Sequence, residues 1–175
     1  LLRQKRFLAG AVISASHNPA EFNGIKFFSS KGDKIPDSWE NEIEAEFAEI
    51  CRCPPSPLRK RPPAKLRVFD QAREIYIRFL KNALPPSFSL RGLRWVLDCA
   101  NGAASGIAPG LFEYFGAETI SIHDAPDGKN INSNCGALHL ASLQREVLKS
   151  GAAGGCAFDG DADRALFVDE KGNVM

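Results

Sequence analysis

No apolar run in the chain approaches the roughly 18 residues that a membrane-spanning helix needs. The first ten residues, LLRQKRFLAG, have neither a long apolar core nor a clean cleavage site. Neither a membrane partner nor a secretory leader is expected. An excess of one charge is also missing. The chain carries 22 Lys and Arg against 21 Asp and Glu, for a net charge of +1. That balance gives no overall pull toward nucleic acid or a membrane surface. Cysteine is present but unorganised: five is an odd number, and the spacing forms no disulfide framework. Cys99, Cys135 and Cys156 lie in or beside apolar segments, which reads as buried free thiols in a reducing cytoplasm. Cys51 and Cys53 form a C-x-C without a second pair or a nearby histidine, a weak case for metal. What remains is a 175-residue chain, 44% apolar and 25% charged, the balance of a soluble protein with room for one large or two small domains. It opens on Leu1 instead of Met, and it stops at Met175, just after a Lys171-Gly172-Asn173 turn that leads into a strand. Both ends read as cuts through a longer fold.

Pattern divides the chain into blocks. Leu8 to Ser14 is small and β-branched and predicts a strand, as does the short run Ile25 to Phe28, closed by the turn Ser29 to Asp33. Pro36-Asp37-Ser38 predicts a helix start. Trp39, Ile43, Phe47 and Ile50 then recur at helical spacing with acids between them. Residues 1–50 thus resemble the trailing part of an α/β domain. Residues 51–66 are proline-rich and basic and predict an exposed linker. Residues 67–175 begin with a helix from Phe69 to Leu84, stopped by Pro85-Pro86. An alternation follows: strand Arg94 to Asp98, helix Ile107 to Phe115, strand Glu118 to Ile122, helix His139 to Ser150, strand Gly155 to Phe158. Such βαβαβ order predicts a doubly wound parallel sheet, with ligands gathering at the carboxyl ends of its strands.

The last of those strands runs into FDGDADR. Asp159, Asp161 and Asp163 stand at i, i+2 and i+4, and carboxylates so close repel unless a cation lies among them. Hard oxygen ligands suit Mg²⁺ or Ca²⁺. Arg164 adds a fork suited to phosphate. An EF-hand matches the first three acids and Glu170, but it puts Arg164 where the tight turn wants Gly, and the flanks read as strands. A haloacid-dehalogenase-type site would make Asp159 a nucleophile, yet Asp163 stands where that pattern usually has Thr or Val. A solvated acidic turn is the remaining plain alternative.

The second distinctive stretch is GAVISASHNPAEFNGIKFF, Gly10 to Phe28. Alone, Ser16 reads as a turn or cap residue, since serine is a poor nucleophile without activation. Asn18-Pro19 marks a turn. Taken together, ISASHNP, NGIKFF, DCANGAAS, PDGKNINSNCGALH and FDGDADR resemble the α-D-phosphohexomutase superfamily, and most of all its bacterial phosphoglucosamine mutase branch. The resemblance covers nearly the whole chain except the proline-rich stretch.

That resemblance implies two α/β domains with mixed or parallel sheets, the first truncated at its start. It implies that Ser16 carries a phosphoryl group, and that Asp159, Asp161 and Asp163 bind Mg²⁺ with a phosphoserine oxygen. It puts Lys26 and His17 beside the transferred phosphoryl, His17 to orient it and Lys26 also suited to proton transfer, with Arg164 next to the metal loop. The implied reaction interconverts glucosamine 6-phosphate and glucosamine 1-phosphate through a sugar 1,6-bisphosphate, which also primes the enzyme. The product would feed cell-wall synthesis in a bacterial cytoplasm. A homodimer is also implied. Two later domains of the family, which hold sugar and phosphate, have no counterpart here, so this chain alone is expected to be inactive. The alternatives are a phosphomannomutase/phosphoglucomutase, or a non-catalytic Mg²⁺-binding α/β piece. Asn101, Gly102, Asn130, Asn132 and His139 read as loop-shaping residues, and His123 and Cys135 receive no functional role.

Overall fold

The elements follow the alternation of the sequence. In a computed structural model, residues 1–52 and 65–175 are described, and they fall into two compact units. One comprises Leu1–Val12 with Lys26–Tyr76, the other Ile13–Ile25 with Ile77–Met175. No helix among the described residues is long and apolar enough to cross a membrane.

The first unit contains the short helix α1 (Leu2–Lys5), most of strands β1 (Ala9–Ser14) and β2 (Gly24–Ser29), and helix α2 (Asp37–Arg52). β1 and β2 form a two-stranded sheet. α2 begins at the expected signal but runs two residues past Ile50, into Cys51 and Arg52. Its apolar positions do form one stripe, yet Trp39, Ile43, Phe47 and Ile50 stay exposed among the described residues. Lys34 pairs with Glu40 at 2.7 Å at the start of the helix, where acids also favour the positive end of the helix dipole. Most of the expected linker, residues 53–64, lies outside the described residues.

The second unit holds a four-stranded sheet. Helix α3 (Ala72–Lys81), which belongs to the first unit up to Tyr76, leads to β3 (Arg94–Asp98), α4 (Ala108–Tyr114), β4 (Glu118–Ile122), α5 (Ala141–Ser150), β5 (Gly154–Phe158) and β6 (Ala165–Asp169). The strand order is β4-β3-β5-β6. β3 pairs in parallel with β4 (Arg94 opposite Glu118) and with β5 (Trp95 opposite Gly154). β6 is antiparallel to β5, with Phe158 opposite Ala165. β3, β4 and β5 form the expected parallel sheet, and antiparallel β6 makes the whole sheet mixed. The reason is the short acidic stretch between β5 and β6, which can only reverse the chain, whereas a parallel return needs a crossover. After β6 the Lys171–Asn173 turn forms as expected, with the Gly172 N–H donating to the Asp169 carbonyl at 3.0 Å.

Residues alternate across the sheet, so each face has its own core. Val96, Ala157 and Val168 meet Leu143 and Val147 of α5 on one side. Leu97 and Cys156 meet Cys99, Ala104, Ala108 and Phe112 on the other. α5 can approach because position 155 is glycine: a Cβ there would stand 2.6 Å from the Leu143 side chain. The expected helix start at His139 is later, at Ala141, because a 3₁₀ turn at Gly136–Leu138 comes first. Asp98 holds that turn by accepting from the Gly136 N–H at 3.0 Å. Cys99, Cys135 and Cys156 are buried free thiols, and Cys51 is free and exposed. Burial pushes Cys99 and Cys156 up to about 12 and Cys135 to about 11.

Candidate active site

The carboxyl ends of β3, β4 and β5 lie along one edge of the sheet, and their loops carry most of the polar residues singled out in the sequence. The acidic loop follows β5. Asp159 is 1% exposed and is partnered in its burial by Arg164. The Arg164 backbone N–H donates to Asp159 Oδ1 at 3.2 Å and its guanidinium Nε to Oδ2 at 3.0 Å. The Ala162 N–H donates to the Asp159 carbonyl at 3.0 Å, which closes a tight turn. Asp161 is half-buried and Asp163 exposed. One carboxylate oxygen from each of the three lies within 4.8 Å of the others. The charges of Asp159, then Asp161, raise the Asp163 carboxyl above its ordinary range. Strands on both sides of this loop remove the EF-hand alternative, which needs helices there.

The serine loop belongs to the same unit. The Asn18 N–H donates to the Ala15 carbonyl at 2.9 Å, making a turn with Ser16 inside it. Ser16 has φ of 52°, the left-handed region that glycine prefers. A non-glycine residue held in that conformation costs about 1 kcal/mol or more. Ser16 Oγ stands 3.5 Å from His17 Nδ1, and His17 is exposed. Lys26 is half-buried on β2, in the first unit.

Two side chains tie the serine loop to the sheet edge, and sequence reasoning passed over one and underrated the other. Asn132 Nδ2 donates to the carbonyls of Ser16 at 2.8 Å and Asn18 at 2.9 Å. Its role as a loop-shaping residue holds, but it also shapes a loop far from its own in sequence. Ser14 Oγ accepts from the Ser16 N–H at 2.9 Å and donates to Asp161 Oδ2 at 3.0 Å. The signal for Ser14 is its place two residues before Ser16, where a serine hydroxyl can accept from the i+2 amide and start a turn. Gly160 completes the fit. A Cβ there would stand 2.4 Å from the Ser16 carbonyl oxygen and 2.7 Å from Asn132 Nδ2.

Asp98 is the other residue not singled out. It is fully buried and ends β3. Oδ1 accepts from the Ala100 N–H and Oδ2 from the Gly136 N–H, both at 3.0 Å, with His123 Nδ1 3.1 Å from Oδ2. Asp98, His123 and Cys135 also bring ligand atoms within 4.8 Å of one another. Asp98 bonds the Ala100 and Gly136 amides through its two oxygens and so braces these loops. Left-handed backbone gathers in these same loops, at Ala100, Asn101, His123, Asn132, Asn134 and Ala162.

A mixed α/β sheet carries a serine turn and a three-carboxylate loop at one edge. Comparison with known proteins makes this particular. Residues 74–172 match the family model for the phosphoglucomutase/phosphomannomutase α/β/α domain II, and residues 1–52 match that for domain I. The chain belongs to this family. It is 51% identical over 175 residues to phosphoglucosamine mutase of Carboxydothermus hydrogenoformans, covering 100% of this chain and 39% of that protein. It is 48% identical to phosphoglucosamine mutase of Alkalilimnicola ehrlichii, covering 100% of this chain and 38% of that one. Among solved structures, a presumed phosphomannomutase from Thermus thermophilus superposes with a TM-score of 0.78 at 23% identity, over 99% of this chain and 39% of that one. A phosphoglucomutase/phosphomannomutase family protein from Burkholderia thailandensis gives 0.68 at 22%, over 95% and 34%. These two establish the fold. The chain thus spans under two-fifths of the curated relatives named here. Nothing in the comparisons supports the homodimer that the resemblance suggested.

Proposed function

We propose that the protein to which this chain belongs interconverts glucosamine 6-phosphate and glucosamine 1-phosphate. Ser16 carries the phosphoryl group that is passed to the sugar. The resulting 1,6-bisphosphate turns and returns its other phosphoryl group to Ser16. The observation that carries this reading is the joining of the serine loop to the acidic loop: Ser14 links the Ser16 amide to Asp161, and Gly160 seats the Ser16 carbonyl.

Three hard carboxylates, with Asp163 raised by its neighbours' charge, fit Mg²⁺. Asp159, Asp161 and Asp163 would hold it, and Mg²⁺ there would neutralise phosphate charge as it moves. Arg164 holds Asp159 in place through two contacts. His17 orients the Ser16 hydroxyl, and Lys26 supplies positive charge to the phosphoryl group. Phosphoryl transfer asks for positioning and charge neutralisation more than covalent help, which is what these residues offer. Residues 1–50 are read as the end of a first domain and 67–175 as a second, joined by the proline-rich stretch 51–66. The chain alone is inactive on this reading, because it spans so little of its relatives' length.

The sugar is the finer part of the proposal, supported by relatives named phosphoglucosamine mutase. The test is a mutase assay on the full-length protein with glucosamine, glucose and mannose 6-phosphates in parallel. Preference for glucosamine 6-phosphate by about tenfold or more in kcat/KM, near 1.4 kcal/mol, is expected. Preference for glucose or mannose phosphate would move the protein to the phosphomannomutase/phosphoglucomutase reading. Absence of turnover with all three would leave a Mg²⁺-binding α/β protein.

A further inference from the structure

A hydroxyl has one proton to give and lone pairs to receive another. Ser14 uses both at the junction of two loops. Its oxygen accepts from the Ser16 N–H at 2.9 Å and gives its own proton to Asp161 Oδ2 at 3.0 Å, a contact between residues 147 positions apart. The amide can only donate, which leaves the hydroxyl proton of Ser14 for the Asp161 carboxylate. The side chain is half-buried at the end of β1, next to the buried Ala15. The neighbouring hydroxyl of the serine loop is engaged elsewhere, since Ser16 points its own Oγ toward His17 at 3.5 Å.

We propose that Ser14 is a positioning residue for phosphoryl transfer, whose hydroxyl couples the backbone of Ser16 to the carboxylate of Asp161. This rests on the function proposed above. The coupling fixes two things at once. It holds the Ser16 turn in its left-handed conformation by bonding its amide, and it sets the orientation of one of three carboxylates in the acidic loop. Asn132 and Gly160 fix the carbonyl side of the same residue, so Ser16 is gripped at both its amide and its carbonyl.

The test compares full-length wild type, Ser14→Ala and Ser14→Thr. The first readout is Mn²⁺ affinity by electron paramagnetic resonance, without sugar. The second is kcat against KM for the hexose phosphate. Losing a hydrogen bond to a charged group is worth about tenfold or more. Ser14→Ala is expected to bind Mn²⁺ about tenfold more weakly and to lose a similar factor in kcat, with sugar KM little changed. Ser14→Thr, which keeps the hydroxyl, is expected to recover most of both. A merely structural role would lower the melting temperature and the active fraction but leave Mn²⁺ affinity and the kcat–KM split alone. Wild-type Mn²⁺ affinity in Ser14→Ala would overturn the proposal. So would Ser14→Thr being as impaired as Ser14→Ala, since the hydroxyl would then not be what matters. If the Mn²⁺ effect and its rescue appear but wild type turns over no hexose phosphate, the coupling stands and the mutase reading is what fails.

Discussion

Gly160 sits among the tightest contacts of the second unit, and that tightness explains its type. A methyl group there meets the Ser16 carbonyl at 2.4 Å, and that neighbour is backbone that cannot swing away. Gly160→Ala is expected to cost about 1–3 kcal/mol in stability and to reduce turnover by more than the lowered melting temperature explains. Thermal melts and kcat on the full-length variant check this, and an active, fully stable variant would contradict it. Asn132 offers a sharper comparison. Asn132→Ala removes two donated bonds, whereas Asn132→Asp keeps the shape and turns an oxygen toward two carbonyl oxygens now 2.8 and 2.9 Å from the nitrogen. Asp is therefore expected to be worse than Ala in both melting temperature and kcat, the reverse of a ranking by size. Asp159, Asp161, Asp163 and Arg164 stand out in the sequence because their charges cluster over a few positions, and Ser16 stands out only through the resemblance of its loop. Ser14, Asn132 and Asp98 were not. Their work consists of hydrogen bonds across 147, 116 and 38 residues respectively, and a single sequence holds no record of such pairings.

The strands and helices of the second unit were legible through their alternation, because burial on both faces of β3 and β5 produces continuous apolar runs. The sense of β6 was not read, since its own residues do not encode direction; the shortness of the acidic turn does. The start of α5 was misread because His139 has no bias against helix, while Asp98, distant in sequence, pins the preceding turn. Leu143 is the centre of the α5 contact and fully buried. Leu143→Ala is expected to destabilise by about 2–5 kcal/mol, measured by denaturant unfolding of the full-length protein, with little effect on sugar KM. The buried thiols add a pH dependence. Cys99 and Cys156 are raised to about 12 in the fold from an ordinary value of 9.0, by burial. Between those values the unfolded chain gives up protons that the native state keeps, so native stability falls as pH rises. Melting temperature should therefore decline above about pH 9. Alkylation at mildly alkaline pH should label Cys51 rapidly and Cys99, Cys135 and Cys156 only after denaturation. Fast native labelling of Cys156 would contradict this packing.

Across the chain as a whole, two loops join into one function. On the proposed reading, the serine loop supplies the phosphoryl carrier and the acidic loop the metal site beside it. The family was legible from these loops, while the choice of sugar rests on relatives named phosphoglucosamine mutase. If Asp159, Asp161 and Asp163 hold Mg²⁺ as proposed, chelation should abolish turnover of the full-length protein and added Mg²⁺ should restore it. Everything else depends on Ser16 carrying the phosphoryl group. Phosphopeptide mapping by mass spectrometry on the full-length protein from its host is the decisive experiment. The expected result is a phosphoryl group on Ser16, present as isolated or after exposure to a hexose 1,6-bisphosphate with Mg²⁺. A Ser16 that stays unmodified under both conditions would contradict it, and an acyl phosphate on Asp159 would transfer the role to the acidic loop.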